Sequence, residues 1–279
     1  MESMVSLLQP ARRTAILPEM GWPAEATVEA VRRLAENEGV PVLGVAPSAA
    51  MENGPAGYRP SDLLPGARSL ICFALPLPRS VYQQGPHATE LIWRSQNLLY
   101  RRLDTLALAV AQVIEAHGAE AAPVFGCCPM AVDSRGRVVG YLNQLRAAEL
   151  AGIGIIGRSG LLLHRRFGPR LMLGTVVTDL ELPAAGSREG PQPACPPQCR
   201  ICIDSCPARA ISRHSRHVHT MRCLAFAART PFMSRLRFAL LCRVRPAAAA
   251  RLMNQRAFDE HTMHVCSSCV AACPYGEQP

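Results

Sequence analysis

Cys199-Arg-Ile-Cys202-Ile-Asp-Ser-Cys206-Pro207 and Cys266-Ser-Ser-Cys269-Val-Ala-Ala-Cys273-Pro274 are the two stretches that decide how this chain is built. Both read C-x2-C-x3-C-P, and Cys195 stands just ahead of the first. Thiolates are soft ligands, and several of them on short loops suit iron held in a sulfide cage. In paired runs of this kind the cysteine before proline turns away from its own cluster and ligates the other one. Crossing the ligands gives one four-iron site from Cys195, Cys199, Cys202 and Cys273. It leaves Cys206, Cys266 and Cys269 one thiolate short, and Cys223, in Met221-Arg222-Cys223-Leu224, is the candidate that completes them.

The spacing is that of bacterial two-cluster ferredoxins, with one departure. Cys195-Pro196-Pro197-Gln198-Cys199 places three residues between its cysteines where the pattern has two. Zinc is the alternative, since C-x2-C pairs also hold structural zinc. Zinc sites, however, seldom add a third cysteine four residues on and a proline behind it. Disulfides are not expected, because no signal peptide is recognisable and a reducing cytoplasm keeps thiols free. Arg12-Arg13 is followed by Pro18, Glu19, Gly21 and Pro23, not by the apolar stretch of a twin-arginine signal. No run of about 20 apolar residues occurs, so no membrane span is expected and the cytoplasm is the expected compartment.

A length of 279 residues with 49% hydrophobic content allows one large domain or two modest ones, each with a core. All 30 basic residues are arginine and the formal charge is +9. Eight thiolates and two oxidised four-iron cores would bring the loaded protein to about +5. That basicity is moderate.

Along the chain, Val28, Val31, Leu34 and Ala35 share one helical face within 26–38, and Gly39 ends the helix. A strand is expected from Val40 to Ala46, and Ser69 to Leu75 is a continuous apolar run that reads as a buried central strand. Residues 90–117 carry a long amphipathic pattern with Leu98, Leu99, Leu103, Leu106, Val110 and Ile114 inward. Ala121 to Phe125 is a short strand candidate beside these. A helix over 142–151 and strands over Leu161–His164 and Leu171–Leu180 follow. Alternating helices and strands indicate an α/β or α+β layer domain over 1–185. Pro183 to Pro197 is rich in proline, glycine and alanine and reads as a linker into a two-cluster module over 186–279.

Gly152, Gly154 and Gly157 form a G-x-G-x-x-G, but they follow a helix, whereas the dinucleotide fingerprint follows a strand and opens a helix. A tight backbone turn that lets a flat cofactor approach is the preferred reading.

Pro65-Gly-Ala-Arg-Ser-Leu-Ile71, Ala147 to Leu162, Phe167-Gly-Pro-Arg170, Leu173-Gly-Thr-Val-Val-Thr-Asp179 and the two cysteine runs together resemble the epoxyqueuosine reductase and reductive dehalogenase superfamily across nearly the whole chain. The resemblance implies a nitroreductase-like α/β domain that binds cobalamin, followed by a ferredoxin-like module that carries two 4Fe-4S clusters, α+β overall. It would put Gly152, Gly154, Gly157, Arg158, Ser159 and Gly160 against the corrin. Epoxyqueuosine reductases carry a proton-donating aspartate some fourteen residues before this turn, where the present chain reads Arg137-Val-Val-Gly-Tyr141. Asp133 is the substitute acid considered, although an aspartate in Asp133-Ser-Arg-Gly136 also suits a plain turn. Tyr141 is the second proton-donor candidate, as dehalogenases of the superfamily use a tyrosine. The chain ends at Pro279 without the helical-repeat tail of some tRNA-acting members, so tRNA is not expected as a partner. A paralogue is expected, not a true epoxyqueuosine reductase.

Other residues invite weighing. Cys127 and Cys128 are adjacent thiols that could face a cofactor, but small buried cysteines are common in apolar surroundings. Cys72 and Cys242 read as core residues. His214, His217 and His219 lie among arginines and read as a solvated loop. Arg235, Arg237, Arg243 and Arg245 alternate with apolar residues and could steer an acidic ferredoxin or flavodoxin. The sequence therefore supports a cytoplasmic reductase that relays low-potential electrons through two clusters to a bound corrinoid acting on a small substrate. The alternative is an electron-transfer module that reduces a partner's corrinoid or flavin and has no substrate site of its own.

Overall fold

The computed structural model describes residues 24–83, 88–126, 130–132, 138–186, 195–215, 218–227, 231–256 and 266–276. In chain order the helices are α1 (Ala24–Asn37), α2 (Pro60–Leu63), α3 (Ala88–Ala116), α4 (Gln144–Leu150), α5 (Ile201–Asp204), α6 (Thr220–Ala227), α7 (Phe232–Val244), α8 (Pro246–Arg256) and α9 (Ser268–Ala271). The strands are β1 (Val42–Pro47), β2 (Ser69–Pro76), β3 (Ala121–Val124), β4 (Met130–Val132), β5 (Val138–Gly140), β6 (Ile155–Ile156), β7 (Leu162–Leu163) and β8 (Leu171–Thr178). The molecule mixes helix and sheet.

The main sheet runs β1-β2-β8-β3, with every pairing antiparallel. That places the fold on the α+β side of the expectation. Because side chains alternate across a strand, Ile71, Phe73 and Leu75 of β2 enter one core with Val31 of α1 and Leu103, Leu106, Val110 and Ile114 of α3. Leu70, Cys72 and Ala74 enter a second core with Ala147 and Ala148 of α4 and with Ile153. A strand buried on both faces needs the unbroken apolar run seen in the sequence. Gly44 brings β1 against α4, since a Cβ there would sit 2.2 Å from the Ala151 carbonyl oxygen.

Leu98 departs from the expected inward stripe and is 63% exposed. At about 100° per residue it lies one step off the line that Leu99 shares with Leu103 and Leu106. Ala121–Val124 pairs with β8 at the sheet edge, where Pro123 loses no ladder bond that matters. The strand read over Leu161–His164 narrows to β7, which pairs with β6. The β4–β5 hairpin was not anticipated, because neither three-residue strand carries a readable period. Val45 donates to Ala185 at 2.7 Å and accepts from it at 3.2 Å, so the chain leaving the sheet runs along the free side of β1. Among the described residues no helix is long and apolar enough to cross a membrane.

Candidate iron-sulfur site

The two cysteine runs fold as the same local structure. Cys202 rides on the one-turn α5 and Cys269 on the one-turn α9, and the two helices pack together. Arg200 enters α5 at φ −125° and ψ 4°, and Ser267 enters α9 at φ −128° and ψ 15°. Cys206 N donates to Ile203 O at 3.2 Å, and its counterpart Cys273 N donates to Val270 O at 3.3 Å. A proline follows each last cysteine, cannot extend the helix, and turns the chain outward. Identical turns give identical thiol placement, so the sequence repeat becomes a structural one.

Electrostatics sort the eight thiols into two groups. Burial raises the Cys202 pKa first, and the neighbouring thiols of Cys195, Cys199 and Cys273 raise it further. Burial again leads for Cys223, followed by Cys266 and Cys206. Cys269 is pushed up to about 12 by burial, then by Cys223, Cys266 and Cys206, with Cys202 the last contributor. Tyr275 is raised by burial and by Cys195, Cys273 and Cys199. Thus Cys273 stands with the first run's thiols, and Cys206 with the second's. Thiols that each disfavour ionisation of the next are a donor set whose thiolate forms a cationic core would stabilise. Ile203, Ile211 and Val218 make the small apolar core around them.

Several contacts tie this module to the α+β layers. Arg158 donates to the Pro197 carbonyl at 2.8 Å, gripping the Cys195–Cys199 loop. A Cβ on Gly160 would meet Val218 at 2.9 Å. Gly168 has φ +56° and Gly276 φ +80°, and their backbones abut: a Cβ on Gly168 would lie 2.1 Å from the Tyr275 carbonyl oxygen. The loop bearing Gly168 is held by His164 N to Gly168 O at 3.0 Å, the reverse bond at 2.8 Å, and a His164–Phe167 stack. Arg79, Tyr82, Gln83, Pro169, Arg170 and Tyr275 face Cys273 across a small cleft at this seam. Burial pushes the Tyr82 phenol up to about 12. Sequence reasoning missed Tyr82 and the glycine pair. The Phe167-Gly-Pro-Arg170 turn was the one visible signal for the latter.

The glycine stretch is a β6–β7 hairpin, not a plain turn. Gly157 N donates to Leu161 O at 2.9 Å, and Gly152 and Gly160 adopt φ of +69° and +73°. The missing side chains make room for the protein itself: a Cβ on Gly154 would lie 2.6 Å from Leu163 O, and one on Gly157 would lie 2.6 Å from Leu163 Cδ1. Gly157→Ala is therefore expected to cost about 1–3 kcal/mol by overpacking, and trimming the neighbour in Gly157→Ala/Leu163→Ala should be markedly sub-additive. Chemical denaturation of the single and double variants reads this directly, and simple additivity would remove Leu163 as the cause.

Arg158 is engaged with Pro197, and Ser159 sits half-buried at the hairpin tip. Tyr141 is half-buried directly after β5, two residues before Asn143, whose side chain caps α4. Asp133, Cys127, Cys128 and His217 lie outside the described residues. Cys72 and Cys242 are buried core thiols, Cys72 pushed up to about 12 by burial.

No family model matches the chain. Tetrachloroethene reductive dehalogenase of Desulfitobacterium hafniense is 47% identical over 66 residues, 23% of this chain and 12% of the relative. Epoxyqueuosine reductase of Gloeobacter violaceus is 28% identical over 166 residues, 59% of this chain and 47% of the relative. The structure of epoxyqueuosine reductase from Streptococcus thermophilus shares the fold at TM-score 0.56 and 18% identity, over 90% of this chain and 66% of that one. The chain spans less than half the length of both of these curated relatives. The chain's homologues are thus epoxyqueuosine reductases and reductive dehalogenases, and its fold is shared with solved structures of both.

Proposed function

We propose that the chain is an iron-sulfur oxidoreductase that relays low-potential electrons through two 4Fe-4S clusters to a corrinoid, for reduction of a small substrate. The observation that carries this reading is the crossed grouping of the thiols, with Cys195, Cys199 and Cys273 beside Cys202, and Cys206, Cys266 and Cys269 beside Cys223. A single zinc ion would need its sulfurs about 2.3 Å from one centre. A four-iron cage instead spreads its four thiolates around a cube. Two interlocked clusters suit relay better than stapling.

The corrinoid part of the reading rests on the superfamily and on the position of the β6–β7 hairpin. Arg158 holds that hairpin to the loop of the first thiol group, so a flat group seated on it would lie next to that cluster. When bound, a corrinoid supplies a metal centre able to exchange electrons with a substrate carbon. The chain's own residues would hold and orient it. Ile155, Ile156, Arg158 and Ser159 provide the partly exposed side chains of the hairpin.

Anaerobically prepared protein is expected to hold about eight irons per chain, because each four-iron cluster takes four cysteines. Finding zinc, or about four irons, would overturn the two-cluster reading. Purification with added cobalamin, followed by a visible spectrum, addresses the rest. One corrinoid retained per chain supports the enzyme. Full iron with no corrinoid supports the electron-transfer module, a reading favoured by the Leu163-filled space behind Gly157.

A further inference from the structure

Between Ser205 and Phe258 the chain contains eleven arginines and no aspartate or glutamate. All 21 acidic residues lie outside this stretch, opposite the remaining nineteen arginines. The entire positive surplus of the protein is therefore concentrated in the segment that separates the two cysteine runs. A surplus gathered in one place sets up a directed field, whereas the same charge spread over the surface would not.

Helix α7 shows what that segment presents. Phe238 and Leu241 are half-buried and Cys242 is buried, which fixes the inner side of the helix. Phe232, Leu236, Leu240 and Val244 recur every fourth residue on the other side and are 68%, 55%, 61% and 66% exposed. Arg235, Arg237 and Arg243 flank this ridge, all exposed, and none forms an ion pair among the described residues. On α6, Met221 and Phe226 are 38% and 45% exposed, on either side of Cys223 in the sequence. Chain geometry limits the span from Cys223 to Phe232 to about 24 Å, one turn of helix plus five extended residues.

We propose that this ridge is the docking surface for a small acidic one-electron carrier protein, which delivers electrons to the cluster containing Cys223. The inference rests on the two-cluster reading above. Exposed arginines around an apolar strip supply long-range steering and a water-excluding centre, the combination that a brief redox encounter uses. One electron passes per encounter: the carrier is oxidised by one, the cluster core is reduced by one, and no bond or proton moves. Nucleic acid fits the strip poorly, because such interfaces are more polar than a row of one Phe, two Leu and one Val. An anionic membrane would suit an apolar and basic helix, but it would gain nothing from lying beside a cluster ligand.

The test uses the full chain with clusters assembled, and a reduced, strongly acidic two-iron ferredoxin as the probe. In stopped-flow mixing, Arg235→Glu/Arg237→Glu/Arg243→Glu should lower the second-order rate of cluster reduction at least ten-fold and flatten its salt dependence. Leu236→Ser/Leu240→Ser should lower the rate while leaving the salt dependence in place. Reduction by dithionite and the iron content should stay at the parent level in both variants. Unchanged ferredoxin rates, or a parent protein that accepts no electrons from the carrier, would overturn the docking surface. So would variants that lose binding to phosphatidylglycerol vesicles or lose dimerisation while keeping the ferredoxin rate. Loss of iron from the parent itself would instead overturn the two-cluster reading.

Discussion

Replacing Cys273 by alanine is expected to remove the cluster built on Cys195, Cys199 and Cys202, and to leave the one built on its sequence neighbours Cys266 and Cys269. The thiol of Cys202 feels Cys273, and so does Tyr275 together with Cys195 and Cys199. The Cys269 thiol instead feels Cys223, Cys266 and Cys206 most strongly among its neighbours. About four of the eight irons should be lost, since each four-iron cage takes four thiolates. The electron paramagnetic resonance spectrum of reduced Cys273→Ala should match that of Cys199→Ala. A match to Cys266→Ala would show that each run holds its own cluster and would undo the crossed assignment.

Gly168→Ala is expected to be strongly damaging for the addition of a single methyl group. Its φ of +56° disfavours any L side chain, and the new Cβ would sit 2.1 Å from the Tyr275 carbonyl oxygen and 2.8 Å from its carbon. Left-handed backbone costs about 1–2 kcal/mol and overpacking about 1–3 kcal/mol, so a loss of about 2–5 kcal/mol is expected. Gly66→Ala is the natural comparison, because Gly66 has φ +86° with open space beside it. It should show the backbone cost alone. Equal midpoint shifts in thermal unfolding for the two variants would mean that the seam relaxes around the methyl at no cost.

The parts of the molecule that were readable from the sequence share one property: a dense local signal. The β2 run Ser69–Pro76 is apolar at almost every position because both of its faces are covered, and α3 shows its stripe over many turns. The cysteine runs are legible because ligand chemistry fixes residue type and spacing together. What escaped the sequence depends on residues far apart meeting in space. Gly168 and Gly276 are separated by more than a hundred residues, and nothing local about either marks it as the other's partner. Tyr82 is an ordinary tyrosine until the cysteine module closes over it. Gly152 to Gly160 shows the opposite error: a strong local pattern invited a ligand explanation, while Leu163 accounts for the space beside Gly154 and Gly157.

The bond pair between Val45 and Ala185 bears on how the edge of the sheet is covered. An antiparallel sheet ends in two rows of unsatisfied amide and carbonyl groups, and such rows template pairing with another molecule. On the β3 side, Pro123 removes one donor from the row. On the β1 side the chain itself covers the edge at one point, through the Val45–Ala185 bridge. A module that pulled away while its clusters were lost would drag on that cover and bare the edge. If the two clusters of the proposed reading are bound there, their oxidative destruction would expose a sticky strand, so that damage to the metal sites would be converted into withdrawal of the whole molecule by aggregation.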